Sequence, residues 1–371
     1  MFHVFTFHLH RDPATLTMPR QLDILALEPF YGGIRRAMLE AVMRYSRHRW
    51  TLLKLPPRRV ERRLAVAANW FAEHLIRHFS GRVDLLFTSE AMNLANLYRL
   101  VPDMARRPSI VYFHDNHLPD VMNRQDGPFD LVNLNTASAA TEIWFNAEYH
   151  QRTFFKRATA LVFRHPELSS QDPMRAIGTK ARILPPPIDL GLPDRVRSEY
   201  EANRQPGNIF VETRDADLGL LNAALELLAK KGRKVRLVTV GPIKQLSDQW
   251  ERHTIKEIDE IGQIVGMLES SVLVSLKQQP NSDYLFVRGM LAGCQPVVPD
   301  HPTYQALIPE SLHTTSLYRP DAQSLATKLG AALDTKGWPL KSPDWRRVFA
   351  PFDAAAACAA IDDRIDELAG A

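Results

Sequence analysis

Cysteine is almost missing from this chain: Cys294 and Cys358 are the only two among 371 residues. A pair so far apart builds neither a disulfide framework nor a zinc site by itself, so a reducing, cytoplasmic compartment is expected. Long apolar runs are missing too. No uninterrupted stretch approaches 18 residues, so no membrane span is expected, and the first 21 residues lack the apolar centre of a signal peptide. A Gly-x-Ser-x-Gly elbow, a Walker lysine loop and a His-Glu-x-x-His helix are absent, which removes support for the common hydrolase, ATPase and metalloprotease readings. Net charge is small, +4, but the cations are unevenly placed. From Arg44 to Arg63 there are eight Lys or Arg residues against one acid, Glu61. Such a patch suits a polyanionic partner or a solvated helix face.

What is present is length and alternation. A chain of this size with 45% hydrophobic residues is too long for one core and suits two domains. Short apolar runs alternate with amphipathic helical spacing, which predicts an α/β protein with parallel sheets. Strands are expected at 22–27, 50–55, 83–89, 109–114, 142–146 and 160–164, then at 208–213, 235–241, 270–276 and 295–300. Pro185, Pro186 and Pro187 stop the pattern and mark the exit from the first domain. The expected organisation is an N-terminal extension over 1–21, a first α/β domain over 22–190, a second over 205–350, and a C-terminal helix over 351–371 that packs back on the first. Met18 precedes the first convincing strand, so residues 1–17 are expected to be a frayed extension or an upstream mis-start. A metal site at His3, His8 and His10 is not expected.

The glycine pair Gly32 and Gly33 stands where the first strand turns into a helix, with Arg35 and Arg36 behind it. Glycine allows close backbone approach, and a helix start favours negative charge, so the turn suits an anion as well as a plain tight bend. Polar residues at other strand ends are the remaining candidates, because a rigid sheet holds them at a cleft. They are Ser89 and Glu90, the loop His114, Asp115, Asn116 and His117, and Asn146 followed by Tyr149 and His150. A histidine and a carboxylate closing one strand, His114 and Asp115, suit acid/base work or sugar hydroxyl recognition. No metal is expected there, since the histidines and the aspartate share one short loop. Asp215–Ala216–Asp217 opens a predicted helix, where acids are favoured by the helix dipole rather than by a metal.

Taken in order, LEPFYGG, TLLKLPPRRVERR, LLFTSEAMNLANL, YFHDNHL and WFNAEYHQRTF resemble the N-terminal domain of the tRNA-queuosine α-mannosyltransferase family. The resemblance implies a GT-B fold of two facing Rossmann-like domains. It implies transfer of mannose from GDP-mannose to queuosine in tRNA with retention, without a metal or other cofactor. By the same resemblance His114 and Asp115 are catalytic, Gly32, Gly33, Arg35, Ser89, Glu90, Asn116 and Asn146 bind substrate, and Arg58, Arg59, Arg62 and Arg63 hold tRNA phosphates. The C-terminal half departs from related enzymes. The two positions of a Glu-x7-Glu motif fall on Pro280 and Arg288, and arginine only donates hydrogen bonds. Leu218 stands where a lysine is expected, while Arg214 replaces an arginine. Donor contacts are expected from Arg214, Asp283 and Arg288. A transferase with a changed donor or acceptor, and a non-catalytic descendant binding RNA or a partner, remain as alternative readings.

Overall fold

The computed structural model describes residues 20–121, 127, 129–165, 173–214, 216–241, 244–256, 259–277, 280–281, 283–335 and 342–370. The expected extension, with His3, His8 and His10, lies outside the described residues apart from Arg20 and Gln21.

Apolar runs buried on both faces become the inner strands of parallel sheets. β1 (Asp23–Glu28), β2 (Arg49–Lys54), β3 (Leu85–Ser89), β4 (Ser109–Phe113), β5 (Glu142–Phe145) and β6 (Ala181–Ile183) form one sheet in the order β2-β1-β3-β4-β5-β6. β7 (Gln205–Glu212), β8 (Arg236–Val240), β9 (Glu251–Ile255), β10 (Ser270–Val274), β11 (Gln295–Pro299) and β12 (Leu317–Tyr318) form a second in the order β12-β11-β10-β7-β8-β9. Every neighbouring pair runs parallel. Chain order reverses between β1 and β3 in the first sheet and between β7 and β10 in the second. At such a reversal the crossovers leave on opposite faces, and a crevice opens beyond the carboxyl ends of the strands.

Four elements differ from the sequence expectation, the first being Ala181–Ile183, which was not expected as a strand and forms β6 at the edge of the first sheet. ALVFR at 160–164 is no strand; it ends the Glu148–Arg164 helix, whose Phe154, Ala158, Leu161 and Val162 are buried at helical spacing. The polar run Glu251–Ile255 is β9, an edge strand with one fully buried residue. The two-residue β12 closes the other edge of that sheet.

The C-terminal helix Ala354–Ala369 returns to the first sheet. Ala354, Cys358, Ile361 and Ile365 share a core with Met38, Leu39 and Val42 of the Gly33–Tyr45 helix and with Phe87, Tyr112 and Trp144 of the sheet. Polar contacts fix its register: Asp362 accepts from Ser46 Oγ at 2.5 Å and Arg47 N at 2.8 Å. After the prolines, Ile188 N donates to Phe352 O at 2.7 Å, so the chain leaving the first lobe lies against the chain coming back. Among the described residues no helix is long and apolar enough to cross a membrane.

Glu142, 1% exposed at the start of β5, accepts from Trp144 Nε1 at 2.9 Å, Arg182 Nε at 3.1 Å and Arg364 Nε at 2.9 Å. Arg364→Ala leaves this buried carboxylate with one cation fewer. We expect a loss of about 2 kcal/mol of unfolding free energy in urea titrations; no loss would show that Arg182 suffices.

Candidate functional site

The first lobe's crevice begins with the glycine turn. Tyr31 N donates to Leu55 O at 3.0 Å, which holds the turn to the end of β2. Gly32 is extended, at φ −169°. A Cβ there would lie 2.8 Å from Cβ and Cγ of Pro57, so any side chain displaces the basic segment. Gly33 opens the Gly33–Tyr45 helix at φ +54°, a conformation that disfavours other residues. Gly32 provides no side-chain cap, so the first N–H groups of the helix are left for another acceptor.

Glu90, fully buried just after β3, organises the neighbouring loop. Its Oε1 accepts from the Arg35 guanidinium and from Asp115 N at 3.1 Å, and its Oε2 accepts from His114 N at 3.2 Å. Its backbone carbonyl accepts from Asn133 Nδ2 at 2.9 Å, while Asn133 Oδ1 accepts from His117 N at 2.6 Å. Ser89 is also fully buried and donates to Glu28 Oε1 at 3.0 Å, beside Phe30 N at 2.7 Å. Ser89 and Glu90 were expected to contact substrate; in the structure both side chains bond within the protein and position the turn and the loop.

His114, 5% exposed, lies over Tyr112 with ring centroids 4.5 Å apart. Burial, then Arg35 and His150, hold its imidazole well below its ordinary value of 6.5, so the ring is neutral. Asn146 Nδ2 donates to His114 O at 3.0 Å, and Asn146 Oδ1 faces His150 Nδ1 at 2.9 Å. Burial lowers His150 to about 4, so it is neutral too, with the Nδ1 proton assigned by that bond. Asp115 is exposed, and its Oδ1 accepts from Asn116 N at 2.8 Å. Arg35 Nε, His114 Nδ1, Asn116 Nδ2, His117 Nε2 and His150 Nε2 are five of the fifteen buried side-chain atoms that have no hydrogen-bond partner among the described residues. Buried polar atoms are normally satisfied, and these five belong to one loop and the side chains around it.

The second lobe meets this crevice directly. Asn281 Nδ2 donates to Asp115 Oδ1 at 2.5 Å, the His301 ring stands edge-on to Tyr149 at 4.6 Å, and Ile34 packs against the second lobe's core. Two residues expected to contact the donor, Asp283 and Arg288, have partners within their own lobe. Asp283 caps the Tyr284–Ala292 helix through Phe286 N at 3.1 Å and also accepts from Ser275 Oγ at 3.0 Å and Tyr304 OH at 2.7 Å. Arg288, 4% exposed, is paired with Glu260 and lies 4.1 Å over the Tyr284 ring. Arg214 is exposed after β7, and Leu218 is core. Asp217 caps the following helix through Leu220 N at 2.9 Å, a helix-start role; Asp215 lies outside the described residues. Sequence reasoning missed Lys277. It sits beyond β10 at the reversal, with Nζ 2.6 Å from Glu212 Oε2 and 3.6 Å from Asp283 Oδ1. Asn133 and Arg157, whose Nη1 donates to Asn116 Oδ1 at 3.3 Å, were also missed. They are helix-borne, and helical spacing says nothing of them. Among the described residues no group of three or more His, Cys, Asp or Glu stands ready for a metal.

Arg58, Arg59 and Arg62 are exposed around the start of the Val60–His78 helix, and Arg63 donates to Pro56 O at 2.8 Å. Arg59 is the one non-glycine described residue with positive φ, +50°. Burial and the neighbouring Arg62 and Arg58 lower Arg63, a sign of crowded positive charge.

Two facing lobes with these sheet orders define the GT-B fold of glycosyltransferases. Solved structures share it: sucrose-phosphate synthase from Thermosynechococcus elongatus aligns with a TM-score of 0.58 at 15% identity, over 94% of this chain and 99% of that one. The catalytic domain of starch synthase IV from Arabidopsis thaliana aligns with 0.62 at 10% identity, over 95% and 99%. In sequence, residues 23–188 match the family described as tRNA-queuosine alpha-mannosyltransferase N-terminal. The tRNA-queuosine alpha-mannosyltransferase of Drosophila melanogaster is 28% identical over 171 residues, and the match spans 45% of this chain and 45% of that protein. The chain thus matches somewhat under half the length of this curated relative.

Glu28, 1% exposed at the end of β1, has no water to ionise into. Burial pushes its carboxyl from 4.5 to about 7, against the opposing pull of Arg35 and Phe30 N–H. The folded state therefore holds this proton more tightly than the unfolded chain. Its contribution to stability is complete below pH 4.5 and is lost as pH rises through about 7. Glu28→Gln keeps the neutral shape, so in urea titrations it should gain on the wild type by about 3 kcal/mol between acid and mildly alkaline pH. Identical pH profiles would rule out a buried acid.

Proposed function

We propose that this chain is a glycosyltransferase that moves a hexose, mannose from GDP-mannose, onto queuosine in tRNA with retention at the anomeric carbon. One observation carries the reading: the five unpartnered polar atoms lie in the segment that matches the queuosine mannosyltransferase family. The departing nucleoside diphosphate develops negative charge. In this reading the uncapped start of the Gly33–Tyr45 helix and the Arg35 guanidinium meet it from one lobe. Lys277 meets it from the other, in place of the lysine absent at Leu218. His114 stays neutral at physiological pH and is a weak base. It therefore recognises a sugar or acceptor hydroxyl through Nδ1, while the exposed Asp115 carboxylate, anchored across the lobes by Asn281, receives a hydrogen bond from the acceptor. Asn116 and Asn146 line and brace the same loop. Arg58, Arg59, Arg62 and Arg63 hold tRNA phosphates regardless of sequence. The compartment that fits is the cytoplasm, and no metal is assigned a role. A second reading, a changed nucleotide-sugar donor, draws on Pro280, Leu218 and the Arg288–Glu260 pair in the donor lobe.

Mass spectrometry of tRNA nucleosides from cells with and without the protein tests the reaction. A deazaguanine nucleoside heavier by one hexose only in the presence of the protein is expected; no difference overturns the acceptor assignment. In thermal melts GDP-mannose should raise the midpoint by ligand linkage. A shift with another nucleotide sugar alone moves the assignment to the second reading. His114→Gln should lower turnover at saturating substrate by about tenfold or more through the lost hydrogen bond, with the melting midpoint little changed. An unchanged rate removes His114 from the site.

A further inference from the structure

The Val60–His78 helix carries more than arginines. At every fourth position its outer face shows Arg62, Val66, Trp70, His74 and His78. All are exposed except His74, which is half-buried. Val66 is 40% and Trp70 42% exposed, large apolar groups that a solvated helix face does not need. Trp70 and His74 are stacked, with centroids 5.4 Å apart and planes 12° from parallel, and His78 follows at 5.2 Å. Long helical side chains lean toward the helix N-terminus. One face of the indole is thus covered by His74, and the other is directed along the face toward Val66 and Arg62.

Charge makes the choice of partner. Among the described residues, Arg58, Arg59 and Arg62 have no carboxylate partner, and the acid farther along the helix, Glu73, is paired with Arg77 at 3.1 Å. The arginine end of the face abuts the crevice: Pro57 lies against Gly32, and Lys54 Nζ stands 4.1 Å over the Tyr31 ring of the glycine turn. A helix of 19 residues extends about 28 Å from there. A row of cations that continues into an exposed tryptophan stacked on a histidine is a combination that binds unpaired nucleic acid, because every base has a flat face to stack and every nucleotide a phosphate. A duplex keeps its bases covered and uses only the cations.

We propose that this helix face binds a single-stranded segment of RNA, with Arg58, Arg59 and Arg62 on its phosphates and an unpaired base stacked on Trp70. The proposal rests on the reading of an RNA acceptor and adds where and how an unpaired segment is held.

The test is fluorescence anisotropy over a salt series. One labelled probe is an RNA hairpin with an unpaired loop, and the other is a fully paired RNA duplex of the same length. Trp70→Ala should weaken hairpin binding about tenfold while leaving duplex binding and the salt slope unchanged. Trp70→Phe should restore most of the affinity. Trp70→Leu, which keeps an apolar side chain but has no ring, gives the same answer where alanine disturbs folding. Changing Arg58, Arg59 and Arg62 to Ala should weaken both probes and flatten the salt slope by about 0.7 for each phosphate on the single strand that is no longer neutralised. Equal hairpin affinity for wild type and Trp70→Leu overturns the stacking surface while leaving the RNA-acceptor reading in place. A wild-type protein that binds neither probe with salt dependence overturns both.

Discussion

A carboxylate without water, Glu90, meets an arginine and two backbone N–H groups at the carboxyl end of β3. Charge-assisted bonds of this kind are short, directional and costly to leave unmade. Here they join three pieces of chain that are far apart in sequence: the helix after the glycine turn, the end of β3, and the loop after β4. The position of His114 follows from its own backbone N–H, which Glu90 holds, and from its carbonyl, which Asn146 holds. The loop can therefore keep polar side-chain atoms unpaired inside a crevice, because its backbone is tied at both ends. A loop with satisfied side chains and free backbone would have the opposite balance and no place for a ligand.

The two topological reversals put comparable ingredients on the two sides of the cleft. Beside β1 and β3 there is an uncapped helix start, an arginine and a buried carboxyl. Beside β7 and β10 there is a lysine between two carboxylates and a helix start already capped by Asp283. The first side is left short of acceptors and the second is nearly self-satisfied. That asymmetry matches the sequence comparison, in which the family likeness covers residues 23–188 and the second lobe is similar to glycosyltransferases through fold alone.

Most of the sheet was legible because a parallel strand buried on both faces reads as a mainly apolar run, as in LDILAL or SIVYF. The failures share a cause. ALVFR is equally apolar, but its burial comes from one face of a long helix, and five residues do not separate the two periods. β9 has only one fully buried residue and so has no apolar run to read. In the candidate site, strand ends were legible as places but the direction of each side chain was not. Ser89 and Glu90 face inward to brace, and Asp283 and Arg288 are held by their own lobe. Which of two polar residues supports and which is left open depends on partners dozens of positions away, such as Asn133 for His117 and Glu260 for Arg288. No local pattern encodes those pairings.

The same long-range logic ties the basic segment to the crevice. Pro57 sits where a Cβ on Gly32 would go, so the diglycine turn packs against the segment that leads into the Val60–His78 helix. A substitution that thickens the turn at Gly32 must displace Pro57. In the proposed reading, a polyanion held on that helix lies beside the turn whose uncapped N–H groups meet the diphosphate. Binding of a large acceptor and alignment of a small donor then share one rigid contact and need no separate moving part.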